Sequence, residues 1–357
     1  MKVGGVQMRT IRALPARDGV EVIDQSALPH RLLSARLDSS QAVFTAIRDM
    51  WVRGAPLIGA SAAYGIALQM NHDTSDRALE DSANLLRQAR PTAVNLAWAI
   101  ERVLRVPRPL APLARRDAAW AEADAIAEED VAVNRAIGEH GLALLRAIAA
   151  RRPGPVRVLT HCNAGWLATV DWGTATAPIY LAHEQGLAVE VWVDETRPRN
   201  QGAGLTAWEL AQAGVPHKLI ADNAGGHLMQ RGEVDIVIVG CDRVSARGDV
   251  CNKIGTYLKA LAAHDNGVPF YVAMPLSTLD RGMHDGLTEI PIEERDAREV
   301  THVAGRNAVG ELVEVSIAPA GTRAANPAFD VTPARLVSAL ITERGVISAD
   351  EEAIRHV

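Results

Sequence analysis

The sequence predicts an α/β protein: a mainly helical first part, then a second part built on a parallel sheet. Three observations carry that expectation. The chain has 357 residues, more than one average domain needs. Residues 40–150 hold stretches with helical apolar spacing and a long Ala/Glu-rich run, the pattern of packed helices. From residue 156 onward, short runs rich in Val, Ile and Leu alternate with helical stretches, as in a parallel sheet covered on both faces. The change falls at Arg151-Arg152-Pro153-Gly154, which sets the expected domains at 1–150 and 151–357.

In the first part, an extended opening leads to Ser39–Ser40, which can cap a helix through QAVFTAIRDMWV that stops at Gly54 and Pro56. The next segment, LIGASAAYGIALQM, is small and apolar on most sides and is expected to be a buried helix. Segments Thr74–Arg90 and Val94–Leu104 follow, separated at Pro91, and a long helix runs to about Ala150. In the second part the expected strands are VRVLT (156–160), LAVEVWV (187–193), HKLIA (217–221), VDIVIVG (234–240), VPFYVA (268–273) and ELVEVSI (311–317). PIYLAHEQ, GLTAWELAQAG and KIGTYLKALAAHDNG read as helices between them.

Composition narrows the function. The hydrophobic fraction is 48% and the charged fraction 22%, enough material for packed cores and unlike a disordered chain. Aromatics make up 4%, so the interior must be mostly aliphatic. A net charge of −6 argues against nucleic-acid binding, which needs a basic face. No apolar run approaches the ~20 residues of a membrane span, and the opening lacks the apolar stretch of a signal peptide. A cytoplasmic protein with neither membrane nor nucleic-acid partner is the expectation. Cys162, Cys241 and Cys251 are an odd set without CxxC spacing, so neither a disulfide framework nor a metal site is indicated.

Ligands of parallel sheets bind beyond the carboxyl ends of the strands. Four successive strand ends here carry polar or glycine-rich segments: His161-Cys162-Asn163-Ala164-Gly165, Asp194 to Gly202, Asp222 to Gly226, and Cys241-Asp242-Arg243 followed by Asn252-Lys253. Most free cysteines are small buried hydrophobes, but Cys162 follows a strand in a polar loop, near an expected helix N-terminus that would favour a thiolate. His161 points to the opposite face of an extended backbone and reads as structural. Asp242 ends a strand of Val and Ile, so desolvation should raise its carboxyl pKa into the range of a general acid; pairing with Arg243 is the alternative. Cys241 should face the core. A phosphate site is suggested by Arg53-Gly54-Ala55-Pro56, Arg90, Gln201 and Asn252-Lys253, since Arg, Lys and helix-start N–H groups bind phosphate and glycine permits close approach. The P-loop GxxxxGK[ST] and a GxGxxG after the first strand are both absent, which weakens nucleotide and dehydrogenase readings. The residues alone therefore reach an α/β enzyme acting by acid/base chemistry on a small phosphorylated molecule.

The segments RGAPLIGASAAYGIAL, RPTAVNLAWAI, LTHCNAGWLATVDWGTA, VWVDETRPRNQGAGLTAWEL, VDIVIVGCDRVSARGDVCNKIGTYLKALAA and NPAFDVTPARLVSALIT resemble the methylthioribose-1-phosphate isomerases, from about residue 40 to 345. These form a superfamily with the α, β and δ regulatory subunits of translation initiation factor 2B. The resemblance implies a Rossmann-like C-terminal domain, a homodimer, no metal or organic cofactor, and conversion of methylthioribose 1-phosphate to its ketose. It implies Cys162 and Asp242 as the catalytic pair, with Arg53, Gly54, Ala55, Arg90, Gln201, Asn252 and Lys253 as substrate-binding residues. Trp166 stands where the family usually has a small residue, Asp171-Trp172 where it has glycine-tyrosine, and Cys241 where alanine is common; bulk near the cysteine loop is expected to reshape the pocket. Alternatives are an isomerase of 5-deoxyribose 1-phosphate or ribose 1,5-bisphosphate, the latter needing a second cationic cluster, and a non-catalytic regulatory subunit.

Overall fold

In the computed structural model, residues 1–90 and 93–357 are described. The expected break at Pro91 lies outside the described residues. The extended opening is a small hairpin, β1 (Lys2–Val3) with β2 (Val6–Gln7), and an antiparallel sheet of β3 (Ile11–Ala13), β4 (Val20–Ile23) and β5 (Ser34–Leu37). Five helices follow: α1 (Ser40–Arg48), α2 (Ala55–Met70), α3 (Asp76–Arg87), α4 (Val94–Arg105) and α5 (Pro112–Ala149). The Ser39 hydroxyl accepts from the Ala42 N–H and caps α1. That helix ends at Arg48 rather than continuing through Val52, because Met50 takes a left-handed φ of 60°. As expected of a segment apolar on most sides, α2 is buried over nearly its whole circumference.

The second part runs β6 (Val156–Thr160), α6 (Ala177–Glu184), β7 (Val189–Asp194), α7 (Ala207–Gln212), β8 (His217–Ile220), α8 (Ala224–Gln230), β9 (Ile236–Val239), β10 (Arg243–Ser245), β11 (Val250–Lys253), α9 (Thr256–Asp265), β12 (Phe270–Ala273), β13 (Leu279–Asp280), β14 (His302–Arg306), β15 (Leu312–Ser316), β16 (Phe329–Thr332), β17 (Ala339–Thr342) and β18 (Gly345–Ile347). The main sheet has the order β18-β17-β12-β9-β6-β7-β8 and is parallel except at the β17–β18 pair. A helical first part followed by a parallel sheet is thus the observed fold class.

Two strand expectations are corrected. ELVEVSI is not in the main sheet: β15 pairs antiparallel with β14 in a separate hairpin, and all five of its residues are exposed. Near-continuous apolarity in that run reflects an uncovered hairpin rather than a strand buried on both faces. Asn252 and Lys253 do not sit in a loop at a sheet edge but end β11, in a second sheet of order β13-β10-β11-β16. Two further strands of the main sheet, β17 and β18, lie in segments not singled out as strands.

Sequence order places β6, β7 and β8 outward on one side, and the chain then returns to lay β9 against the other side of β6. The crevice opened where strand order reverses is where such sheets bind ligands, and it lies beyond Thr160 and Val239. Around it are three apolar clusters. One is centred on α2 and includes Leu57, Ile66 and Leu68; the others flank the main sheet and include Val158, Val191 and Ile236, and Val237, Val239 and Val272. The 38-residue α5, about 57 Å long at 1.5 Å per residue, contributes Trp120 and Ala123 to the first cluster and Ile137 and Leu145 to the second.

Replacing the fully buried Ile66 by Ala should cost roughly 2–5 kcal/mol. Urea unfolding of the variant, read at constant slope, measures it; a loss within 0.5 kcal/mol, taken as about the level of an ordinary surface change, would contradict this packing.

Candidate active site

The reversal of strand order makes β6 and β9 hydrogen-bonded neighbours, so their carboxyl ends open side by side. Cys162 follows the first and Asp242 the second. Both line one cavity, together with Arg53, Gly54, Ala55, Arg90, Gln201, Asn252 and Lys253. All nine residues singled out from the sequence are therefore brought to the same place, from six separate stretches of chain.

Local chemistry explains each position. Arg53 and Gly54 precede α2, whose first turn therefore opens on the cavity. Gly54 has φ 93°, and a side-chain carbon there would lie 2.4 Å from the Ala168 carbonyl oxygen, so only glycine permits this approach. The Arg53 guanidinium donates to the side-chain oxygen of Asn163 at 2.6 Å and to its carbonyl oxygen at 2.7 Å. Cys162 also has a left-handed φ, of 64°, and its N–H donates to Thr196 Oγ1 at 2.8 Å. Lys253 pairs in register with Phe329 across β11 and β16, its ammonium 5.9 Å from that ring. Arg90 reaches Glu293 at 3.2 Å. Among the described residues, Arg90 Nε and Gln201 Oε1 are buried without hydrogen-bond partners, a donor and an acceptor of the kinds a phosphate and a sugar hydroxyl satisfy.

Burial dominates the electrostatics. It raises the Asp242 carboxyl above its ordinary value against the opposing pull of Arg90, Arg53 and Lys253, in the direction expected from its strand. Burial raises the Cys162 thiol too, although Arg53 and Lys253 act against it. This corrects the expectation of a thiolate favoured by a helix N-terminus: the loop after Cys162 leads into a short 3-10 turn, Trp166–Ala168, and desolvation outweighs the nearby cations. Burial also lowers the Lys253 ammonium.

Several side chains depart from expectation. Cys241 does not face only the core but lines the cavity. Trp166, 1% exposed, is packed in the core with Trp208 at 6.2 Å, and neither it nor Trp172 lines the cavity. Their bulk is absorbed away from the pocket. Arg199, Arg295, Asn163 and Phe329 line it without having been singled out. Arg295 lies in the charge-rich run EERDARE, which reads as a solvated surface; Arg199 lies inside a segment of recognised resemblance and could have been found there. Both arginines bind Glu299, at 2.7 and 2.8 Å, and Arg295 also reaches Glu293 at 2.7 Å. A smaller lobe adjoins the first and is lined by Ile58, Ala93, Cys251, Ile290, Pro291 and Phe329, with Arg90 and Arg243 beside Asp242.

His161, Asp194 and Asp222 offer three potential metal-ligand atoms within 4.8 Å of one another. Their chemistry does not fit a metal. Lys259 already stands there, 3.2 Å from Asp194 Oδ2 and donating to the Asp222 carbonyl. His161 engages Asp194 through Nδ1 at 2.9 Å and the Ile254 carbonyl through Nε2 at 2.8 Å. The Asp222 carboxylate accepts from the N–H groups of Thr196 and Arg197, each at 2.7 Å. This is an internal ion and hydrogen-bond network, in keeping with the structural reading of His161.

Residues 51–349 match the model of the initiation factor 2 subunit family. The chain is 60% identical to a methylthioribose-1-phosphate isomerase of Rhizobium meliloti, over 99% of this chain and 98% of that protein. Its identity to the protein of the same name from Rhodospirillum rubrum is 61%, over 98% and 91%. Among solved structures, 5-methylthioribose 1-phosphate isomerase from Pyrococcus horikoshii superposes with a TM-score of 0.85 at 38% identity, covering 98% of this chain and 95% of that one. A chain described as translation initiation factor eIF-2B subunit delta from A. fulgidus gives 0.81 at 39%, over 98% and 100%.

Alkylation of Cys162 by iodoacetamide should be slow at neutral pH and still rising above the ordinary thiol value of about 9. Peptide mass spectrometry after timed labelling measures this, and a rate already at plateau below that value would contradict the burial of the thiol.

Proposed function

The chain belongs to the initiation factor 2 subunit family, as one of its methylthioribose-1-phosphate isomerases, and from that premise we propose how its cavity performs the reaction. The protein is an aldose–ketose isomerase that converts 5-methylthio-α-D-ribose 1-phosphate to 5-methylthio-D-ribulose 1-phosphate, a step of methionine salvage. The observation that carries the mechanism is the convergence of Cys162 and Asp242 on one cavity with Arg53, Arg90 and Lys253.

Phosphate on C1 prevents the sugar ring from opening to a free aldehyde. In the proposed scheme Asp242, its carboxyl raised by desolvation, gives a proton to the ring oxygen as the bond from C1 to that oxygen breaks. A hydrogen then leaves C2 and one is delivered to C1, while the C2 hydroxyl loses its proton to become the ketone; the atoms of substrate and product balance. Asp242 and Cys162 serve these later transfers. The cations, with Gln201 and Asn252, bind the phosphate and hydroxyls. The smaller lobe offers Ile58, Ala93, Ile290 and Pro291 to an apolar C5 substituent such as methylthio, and its two arginines, Arg90 and Arg243, are engaged by Glu293 and Asp280. Arg199 and Arg295 add cations at the other end, but Glu299 and Glu293 already neutralise them. Retention of an acid and a thiol lining one pocket supports catalysis over a purely regulatory subunit.

The finer properties rest on separate support. Residues 1–150 and 151–357 are read as two units, the first around α2 and the second around the main sheet, with α5 joining them. A homodimer is supported by the β14–β15 hairpin and its surroundings, where Leu312, Val313, Val315 and Ile317 are all exposed; a two-stranded hairpin with such a surface is marginal unless covered. A cytoplasmic setting suits three free cysteines around the cavity. Among the described residues, no helix is long and apolar enough to cross a membrane.

Asp242→Asn should lower turnover by on the order of 1,000-fold or more while leaving substrate binding within a few-fold. Phosphorus and proton NMR with methylthioribose 1-phosphate, 5-deoxyribose 1-phosphate and ribose 1,5-bisphosphate in deuterated buffer reads both the substrate and the hydrogen transfer; substantial retained turnover in the variant would remove Asp242 from its role. Light scattering should give twice the 38.2 kDa of one chain, and Val315→Glu should shift that mass toward the monomer; a monomeric native protein would refute the dimer.

A further inference from the structure

Behind the loop that carries Cys162 lies a carboxyl group that the scheme above does not use. Glu209, on α7, is fully buried. Its Oε1 accepts from Asn163 Nδ2 at 2.7 Å and its Oε2 from the Leu167 N–H at 3.2 Å, with the Trp166 N–H also directed at it. Thr206, one helical turn earlier, donates to the Cys162 carbonyl at 2.6 Å and accepts from the same Asn163 amide at 3.2 Å. The loop passes so close that a side-chain carbon on Gly165 would lie 1.4 Å from Glu209 Oε1; only a glycine leaves the carboxyl its place.

The chemistry of an amide gives this arrangement a consequence. A side-chain amide has one accepting end and one donating end, an ionised carboxylate only accepts, and a guanidinium only donates. Asn163 sits between Glu209 and Arg53, so one orientation alone satisfies both: nitrogen toward Glu209, oxygen toward Arg53. We infer that Glu209 is a positioning residue, which sets the Asn163 amide so that its oxygen holds the Arg53 guanidinium in the cavity. The inference rests on the cavity being the isomerase site. Burial pushes the Glu209 carboxyl up to about 8, with the three N–H donors and Arg53 pulling the other way; in either protonation state the oxygen facing Asn163 accepts, because Arg53 already occupies the amide oxygen. A buried acid is costly to maintain, which is in keeping with a task beyond packing.

The test is steady-state kinetics on Glu209→Gln across pH. Glutamine keeps the size but has a single accepting end, so either the Asn163 amide or the Leu167 and Trp166 N–H groups lose their acceptor and the hold on Asn163 weakens. KM for methylthioribose 1-phosphate should rise roughly 10- to 100-fold, with kcat changing less. The limb of the kcat/KM profile set by Asp242 should move to higher pH, because Arg53 is one of the cations opposing the raised carboxyl. Asn163→Ala should do the same, and the double variant should be no worse than either single one. Unchanged KM and pH profile in Glu209→Gln, or additive losses in the double variant, would overturn the inference. Should Glu209→Gln fail to fold, Glu209→Asp withdraws the charge by one methylene; a raised KM and shifted profile are expected there too, and unchanged values count against it. Arg53→Ala separates the two levels. If it leaves KM unaltered, the reading of the cavity fails; if it raises KM while the Glu209 variants do not, only the positioning role fails.

Discussion

Everything in the site depends on the hydrogen-bonded pairing of β6 with β9, the two strands between which the sheet reverses its order. That pairing sets Cys162 and Asp242 at adjacent strand ends although 80 residues of chain separate them. It also opens the crevice that the first turn of α2 closes from the other side, at a glycine with no room for a side chain. A sheet with a simple sequential order would carry the same residues at its edge and hold them apart.

Desolvation is the second organising force. The apolar surroundings that bury Asp242 and Cys162 raise both acids, and the cations around them moderate that effect without cancelling it. The result is a pocket in which both acids are biased toward their protonated forms beside three positive groups. Glu293 and Glu299 keep the outer arginines from adding further to that positive field.

The loop after β6 is held from behind at two points. On one side, His161, Asp194 and Lys259 form a buried ionic network that ties β6 and β7 to the turn at Ile254, just past Lys253. On the other, Thr206 and Glu209 reach Cys162 and Asn163 from the helical segment that begins after Gln201. A π-helical turn at Gly202–Thr206 leads into that segment, a distortion common where a helix is adapted to a functional site. Cavity-lining and supporting side chains thus come from the same short stretches.

The sequence by itself determined the fold class, most of the elements, and which residues gather at the cavity. Apolar periodicity is a local property, and polar residues at the ends of Val/Ile runs stand out without any knowledge of pairing, as Cys162 and Asp242 do. Resemblance added the reaction. What only the tertiary structure decided is non-local. The exposed β15 and the buried β6 look alike as apolar runs, because the covering of a strand is supplied by other segments. Trp166 looked like a pocket residue from its neighbours and is core, packed near Trp208 from a distant segment. Arg295 sits in a run that reads as solvated and lines the cavity. The Cys162 thiol is raised rather than lowered, because burial sums over the whole surroundings while a helix terminus acts at short range. Glu209 carries no mark in the sequence at all: its carboxyl meets Asn163 across 46 residues of chain, and only the folded backbone brings the two together.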